Sequence, residues 1–172
     1  MIIIFLRALL VSAFVIVVFS SVAIAQKSES EWIEANTEII KFEVPKNLKM
    51  MPLKSDVRNP WEFTSRKLRL YVLSGFYAGQ DPLEKEIEHG YSERSVTIDG
   101  MKATWASYME REPREAKYPY STVLYFENLG ECAKNIRVAA RYKSKSQEPE
   151  IERIFNSIKF DKERLKCPDR PT

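Results

Sequence analysis

The stretch AKNIRVAARY, Ala133–Tyr142, says more about the fold of this chain than any other. Polar and apolar side chains alternate along it, as they do in an extended strand whose successive side chains point to opposite faces. The apolar face carries Ile136, Val138, Ala140 and Tyr142, and the opposite face carries Asn135, Arg137, Ala139 and Arg141. One buried face and one solvated face are typical of an antiparallel sheet.

Further strands are predicted on both sides of this stretch. Asp99-Gly100 is the strongest short-range hairpin signal in the chain, because both residues tolerate the positive φ that a two-residue hairpin turn requires. It predicts that Ser95–Ile98 pairs with Met101–Met109. The other predicted strands are Glu38–Val44, Lys67–Phe76 and Thr122–Glu127.

Two helices are predicted beside the strands. The first begins at Asp81-Pro82 with a capping residue and a proline, and ends at Gly90. The second covers Glu148–Ser157, where an apolar stripe recurs at helical spacing in Ile151, Ile154, Phe155 and Ile158. Strands and helices in this order predict a single α+β domain, with a mainly antiparallel twisted sheet and flanking helices.

Composition narrows the class of protein. Outside the first 25 residues the chain carries 26 basic and 24 acidic side chains, a near balance that disfavours nucleic acid as a partner. A length of 172 residues fits one domain.

Residues 1–25 have the pattern of a secretory signal peptide. Arg7 is the only charge, an apolar run follows, and Ala23-Ile24-Ala25 supplies the small residues that signal peptidase requires. Cleavage before Gln26 predicts a periplasmic or secreted protein with no membrane span after removal. The alternative is an uncleaved N-terminal membrane anchor, since 8–25 is just long enough to span. The mature chain then divides into a lead-in at 26–35, the domain at 36–160 and a charged tail at 161–172.

The two cysteines, Cys132 and Cys167, both follow the signal segment. In an exported chain an even pair predicts a disulfide bond. This bond would close a loop of about 35 residues and fasten the charged tail to the domain.

Four sequence segments together resemble the Mog1/PsbP-like family, including its PsbP-like and DcrB-like exported bacterial domains of unknown function. They are Phe42–Pro45, Val96–Ala103, Tyr125-Phe126 and Ile154–Phe160. The resemblance covers about Asn36–Phe160 and implies the α+β architecture. Family members include a photosystem subunit and a Ran-binding import factor, so it favours a binding or accessory role and transfers no site residue.

The sequence contains few residues for catalysis or metal binding. His89 is the only histidine, and its place beside Gly90 indicates the end of a helix rather than a catalytic base. The spacing of this histidine and the two cysteines matches no metal motif, and no glycine-rich cofactor fingerprint is present. We therefore expect no catalytic residue, no metal and no cofactor.

A contact surface is predicted on the polar side of the strands. Tyr71 and Tyr108 lie on that side of their strands, and an aromatic cluster there can contact a protein. Arg137 and Arg141 share the polar face of Ala133–Tyr142 and extend the surface. For the tyrosines the alternative is filling of the core, since sheets favour aromatic side chains. For the arginines the alternative is a solvated face that prevents sheets from pairing edge to edge.

Two functions therefore compete. The first is a non-enzymatic accessory or binding domain of the cell envelope, whose partner is another envelope or secreted protein. The second is a small-molecule binder or a hydrolase-type enzyme with a carboxylate and tyrosine pocket between sheet and helices. A cleft joining Asp81, His89 and Tyr91 would favour the enzyme.

Overall fold

The strands form two antiparallel sheets. The structure, a computed structural model, describes residues 31–52, 61–75, 78–79, 89–110, 117–130 and 134–166. The chain divides into two units, 1–31 and 32–172, and every element described below belongs to the second unit.

The smaller sheet has three strands in the order β1-β2-β10. β2 (Ile40–Pro45) lies in the middle because a strand pairs with each of its edges, and its alternating Ile40, Phe42 and Val44 are buried. β1 (Trp32–Asn36) pairs with one edge of β2, and β10 (Lys159–Phe160) pairs with the other.

The larger sheet has seven strands in the order β3-β4-β5-β9-β8-β7-β6, so β3 and β6 are its edges. The predicted Asp99-Gly100 hairpin is confirmed, with φ +49 and +81 at its two turn residues. The strands are β3 (Lys49–Pro52), β4 (Trp61–Thr64), β5 (Leu68–Ser74), β6 (His89–Ile98), β7 (Met101–Met109), β8 (Tyr120–Leu129) and β9 (Lys134–Tyr142).

One α-helix occurs among the described residues. This helix, α1 (Glu148–Asn156), follows a 3-10 turn at Lys145–Gln147. Gln147 is buried at the junction, where its amide nitrogen donates to the Lys67 carbonyl at 3.0 Å and its amide oxygen accepts from the Ser144 backbone at 3.0 Å. These bonds attach the start of α1 to the residue before β5.

The core lies between both sheets and α1. The predicted apolar stripe of the helix is fully buried and belongs to the same cluster as the inward side chains of the two sheets. Phe42 of the small sheet contacts Phe63 of the large sheet edge to face at 5.5 Å, and Trp105 contacts Phe155 of α1 at 5.1 Å. Aromatic contacts of this kind therefore join all three parts.

The α+β class predicted from the sequence is wrong, because the fold is predominantly β. Strands account for 61% of the described residues and helices for 15%. The difference comes from β1, β3, β4 and the first half of β6, which lack the alternation that predicts a strand. They are strands because their backbones pair with a neighbour, and such pairing depends on segments distant in sequence.

At the predicted helix end, Gly90 has the positive φ that is typical of a helix stop, +64, but it lies in a strand. His89 and Gly90 begin β6, where His89 pairs with Met109. The preceding residues of that predicted helix, 81–88, lie outside the described residues.

Two further predictions fall outside the described residues: the signal segment 1–25 with its cleavage before Gln26, and the disulfide between Cys132 and Cys167. Residues on either side of Cys132 are described, and they contact residues that precede Cys167. Lys134 Nζ donates to the Arg164 carbonyl at 2.6 Å, and Gly130 lies against Leu165. In the part of the chain that is described, no helix has the length and apolar character needed to cross a membrane.

Candidate functional site

A groove separates the large sheet from α1 near the start of the helix. Two adjoining cavities of about 350 and 550 Å³ form it, and both are lined by Ser92, Ser107 and Glu148. Volumes of this size are usual for sites that bind small molecules, about 300–1,000 Å³. The groove lies between sheet and helix, where the second hypothesis placed a pocket.

Hydroxyl groups form the floor of the groove. Ser92, Ser107 and Thr122 lie side by side on β6, β7 and β8, because Ser92 pairs with Ser107 and Ser107 with Thr122. Ser92 Oγ donates to the Ser107 carbonyl at 3.3 Å, and Ser107 Oγ is 3.2 Å from Thr122 Oγ1. Strand register thus places three hydroxyls in one row.

The row continues into α1 through a tyrosine. Thr122 Oγ1 lies 3.1 Å from the Tyr142 hydroxyl, which lies 3.5 Å from Oε1 of Glu148. We call Ser92, Ser107, Thr122 and Tyr142 the hydroxyl row.

Two members of the hydroxyl row occupy positions that the sheet otherwise fills with apolar side chains. Thr122 is 3% exposed and Tyr142 is 2% exposed. The neighbouring inward positions on β8 and β9 are Leu124 and Val138, both fully buried. A buried hydroxyl costs free energy unless it is hydrogen-bonded, so the row is stable only because its members bond to one another.

The Tyr142 hydroxyl stays protonated over the ordinary pH range. Burial raises its pKa above the usual value of about 10. The hydrogen bond with Thr122 opposes this rise, while the negative charge of Glu148 adds to it. Tyr142 is therefore a hydrogen-bond donor rather than a base.

A β-bulge places the single histidine beside the groove. Between His89 and Ser92, three steps along β6 match two steps along β7, and Gly90 takes φ +64. A glycine in this conformation is typical of a bulge that reorients its neighbours. His89 consequently lines the groove, whereas Tyr91 stacks on Tyr108 at 6.0 Å on the other face of the sheet.

The proposed cleft of Asp81, His89 and Tyr91 is thus not assembled by the described residues. His89 and Tyr91 face opposite sides of the sheet, and Asp81 lies outside the described part of the chain. Within that part, no group of three or more histidine, cysteine or acidic side chains is placed to hold a metal ion.

The predicted contact surface residues do lie on one face of the large sheet. Tyr71 pairs with Ala139, which Arg137 and Arg141 flank, and Tyr108 pairs with Ser121 on the same face. Tyr108, however, is only 8% exposed. This face therefore offers less of Tyr108 to a partner than the sequence suggests.

Arg141 of that surface is held by neighbours within the domain. Its Nε lies 2.7 Å from Oε1 of Glu110, which also accepts from Ser121 Oγ at 3.0 Å. Its guanidinium lies 5.8 Å from the ring centre of Tyr71. Such contacts fit the alternative of a solvated structural face, because the arginine is already paired.

Sequence reasoning did not single out the hydroxyl row or Glu148. A signal was present on β7, where the inward positions run Met101, Ala103, Trp105 and then Ser107. A serine in the apolar phase of a strand indicates either a buried hydrogen bond or a cavity. Choosing between these required knowing which residues lie opposite it.

Comparison with known proteins adds no family to this site. No family model matches the chain, and no curated protein matches it.

Proposed function

We propose that this protein is an exported, non-enzymatic binding domain of the cell envelope, and that the groove between the large sheet and α1 holds its ligand. The hydroxyl row is the observation that carries the proposal. It provides several donors and acceptors at the floor of a cavity of suitable size, on rigid strands rather than loops.

Binding is favoured over base catalysis by Tyr142, because its raised pKa keeps the hydroxyl protonated. A protonated Tyr142 orients a ligand but does not take a proton from it. We propose the groove as the contact site instead of the outer face of the large sheet. On that outer face Tyr108 is buried and Arg141 is paired with Glu110. The export part of the proposal rests on the pattern of residues 1–25.

A groove-blocking variant tests the proposal. Ser92 and Ser95 are both exposed serines of β6, but Ser92 lines the groove and Ser95 faces the other side of the sheet. Purified wild type, Ser92→Trp and Ser95→Trp are each incubated with a small-molecule extract of the cell envelope. Native mass spectrometry then detects the ligand that each protein retains.

We expect wild type and Ser95→Trp to retain the same compound and Ser92→Trp to lose it. The compound released on denaturation should have the mass of the free compound. Retention by Ser92→Trp, or no retained compound in wild type, would show that the groove is not the site. A released compound of altered mass would instead support the enzyme alternative.

A further inference from the structure

We infer that the ligand of this groove is a neutral, polyhydroxylated molecule, a short oligosaccharide. This inference rests on the proposed function, because it names the chemical class that the same groove accepts. Three properties of the groove carry it: the hydroxyl row, the charges of both signs around it, and the aromatic side chains that flank the row.

The hydroxyl row matches a ligand that itself carries hydroxyls. Each serine, threonine or tyrosine hydroxyl can donate one hydrogen bond and accept others. Tyr142 donates its one hydroxyl hydrogen to Glu148 and therefore accepts from Thr122. Thr122 in turn accepts from Ser107. The lone pairs left on these oxygens can accept hydrogen bonds from the hydroxyls of a ligand.

Charges of both signs surround the groove. Among the described residues that line it, the carboxylates are Glu93, Glu148 and Glu152, and the cationic side chains are Arg94 and Lys145. A charged ligand in the groove would lie close to at least one side chain of the same charge. Because a poorly paired charge is costly to remove from water, a neutral ligand binds at the least cost.

Aromatic side chains flank the hydroxyl row on both sides, one in each cavity. Trp105 lines one cavity, with the Arg94 guanidinium 4.8 Å from its ring centre, and Tyr120 lines the other, stacked on Tyr142 at 5.6 Å. Aromatic rings next to hydroxyls present apolar surface and a polar edge together. A sugar ring has the same two properties, an apolar C–H face and a rim of hydroxyls.

The test compares trisaccharides that differ in charge. Chitotriose is neutral, its fully deacetylated form is cationic with the same backbone when titrated in mildly acidic buffer, and trigalacturonate is anionic in that buffer. Each is titrated into wild type, Ser92→Trp and Ser95→Trp, with binding followed by isothermal titration calorimetry. Maltotriose and cellotriose, both neutral, serve to sample other linkages.

A point variant tests the hydroxyl row itself. Thr122→Val removes the central hydroxyl and retains the shape of the side chain. Thr104→Val makes the same change on the opposite face of the sheet and is the matched control. We expect Thr122→Val to weaken binding of the neutral trisaccharide roughly tenfold, and Thr104→Val to leave it within about twofold.

The inference is supported if at least one neutral trisaccharide binds wild type and Ser95→Trp but does not bind Ser92→Trp. That trisaccharide must also bind wild type more tightly than both charged trimers do. Groove-dependent binding of a charged trimer alone would overturn the ligand class, and so would neutral binding that Ser92→Trp retains. If the extract ligand is retained through the groove but no saccharide binds, the inference fails while the proposed function stands. If neither binds, both fail.

Discussion

Gly130, which directly follows β8, is the glycine where an added Cβ would meet the closest neighbouring atom. Its φ is +67, and a Cβ there would collide with the Leu165 carbonyl. Gly90 has nearly the same φ, +64, with open space around the position of a Cβ. An alanine at Gly90 therefore introduces backbone strain alone, and an alanine at Gly130 introduces both backbone strain and a steric overlap.

We expect Gly90→Ala to destabilise the protein by about 1–2 kcal/mol, the cost of left-handed backbone for a residue with a Cβ. Gly130→Ala should cost about 1–3 kcal/mol more, because the backbone of the C-terminal segment must move. Urea denaturation measures both. Equal losses for the two variants would contradict the close approach of Gly130 to Leu165.

Asp99 couples the hairpin turn to β10 through an ionised carboxylate. Its Oδ2 accepts from the Phe160 backbone at 2.9 Å, its Oδ1 lies 3.1 Å from Lys159 Nζ, and its side chain is 20% exposed. The Phe160 hydrogen bond lowers the pKa of Asp99 most, and the charges of Lys159 and Lys162 lower it further, against the opposing effect of burial.

A lowered pKa in the folded state means that ionised Asp99 adds stability above its unfolded pKa of about 3.9. That stability is lost as pH falls through the lower folded value. Asp99→Asn retains the turn and an acceptor for Phe160 but loses the charge, so we expect a loss on the order of 1 kcal/mol at neutral pH. Denaturation at a series of pH values should show this difference shrinking below pH 3.9. A constant difference would contradict the role of the charge.

At the scale of elements, α1 depends on its buried stripe. Ile154 is 0% exposed in a cluster with Ile151, Phe155 and Ile158. Ile154→Asp places an unpaired carboxylate in that cluster at a cost of several kcal/mol, against a total stability of about 5–15. We expect this variant to be unfolded at room temperature by circular dichroism.

Asn156→Asp is the matched control, because it introduces the same carboxylate at an exposed position of α1. It should change the free energy of unfolding by less than about 1 kcal/mol. The main cost is the unfavourable interaction of a negative charge with the C-terminal end of the helix dipole. An Ile154→Asp protein that melts at the wild-type temperature would show that α1 does not pack as described.

Beyond its stripe, α1 is held in place by polar contacts with β2. Arg153 contacts Glu43 Oε2 through two nitrogens at 3.1 and 3.2 Å, and its guanidinium lies 4.0 Å from the ring centre of Trp32. Ser157 Oγ accepts from the Glu43 backbone at 2.8 Å. These contacts fix the helix against the small sheet, and its first turn forms one wall of the groove.

At the scale of the whole molecule, the sequence predicts export and a disulfide, and one measurement tests both. Mass spectrometry of the protein recovered from its native compartment should show a chain that begins at Gln26. Reduction should add the mass of two hydrogen atoms if Cys132 and Cys167 are joined. A chain retaining residues 1–25 would support the membrane anchor, and free thiols in the recovered protein would contradict the disulfide.

The described neighbours of the cysteines favour that bond. Lys134 donates a hydrogen bond to the Arg164 carbonyl, and Gly130 lies against Leu165. The chain on each side of Cys132 therefore lies near the segment that leads to Cys167. Loss of the bond should lower stability by about 3–4 kcal/mol in the chain-entropy model, since it closes a loop of about 35 residues.

The sequence by itself determined the elements whose signals are local. The alternation in β2, β5 and β9 reflects one buried face, Asp99-Gly100 adopts the positive φ values of a hairpin turn, and the stripe of α1 follows helical spacing. Each signal arises within a few residues because side-chain direction repeats with the backbone geometry. These elements were therefore predictable without knowledge of what they pack against.

Only the tertiary structure decided the fold class and the groove. β1 and β3 are strands because a neighbouring strand satisfies their backbone hydrogen bonds, which no pattern within them reveals. The hydroxyl row takes one residue from each of β6, β7, β8 and β9, and their contact depends on strand order and on register. A shift of register by one residue would turn Thr122 to the other face of the sheet, so the site exists only in the assembled sheet.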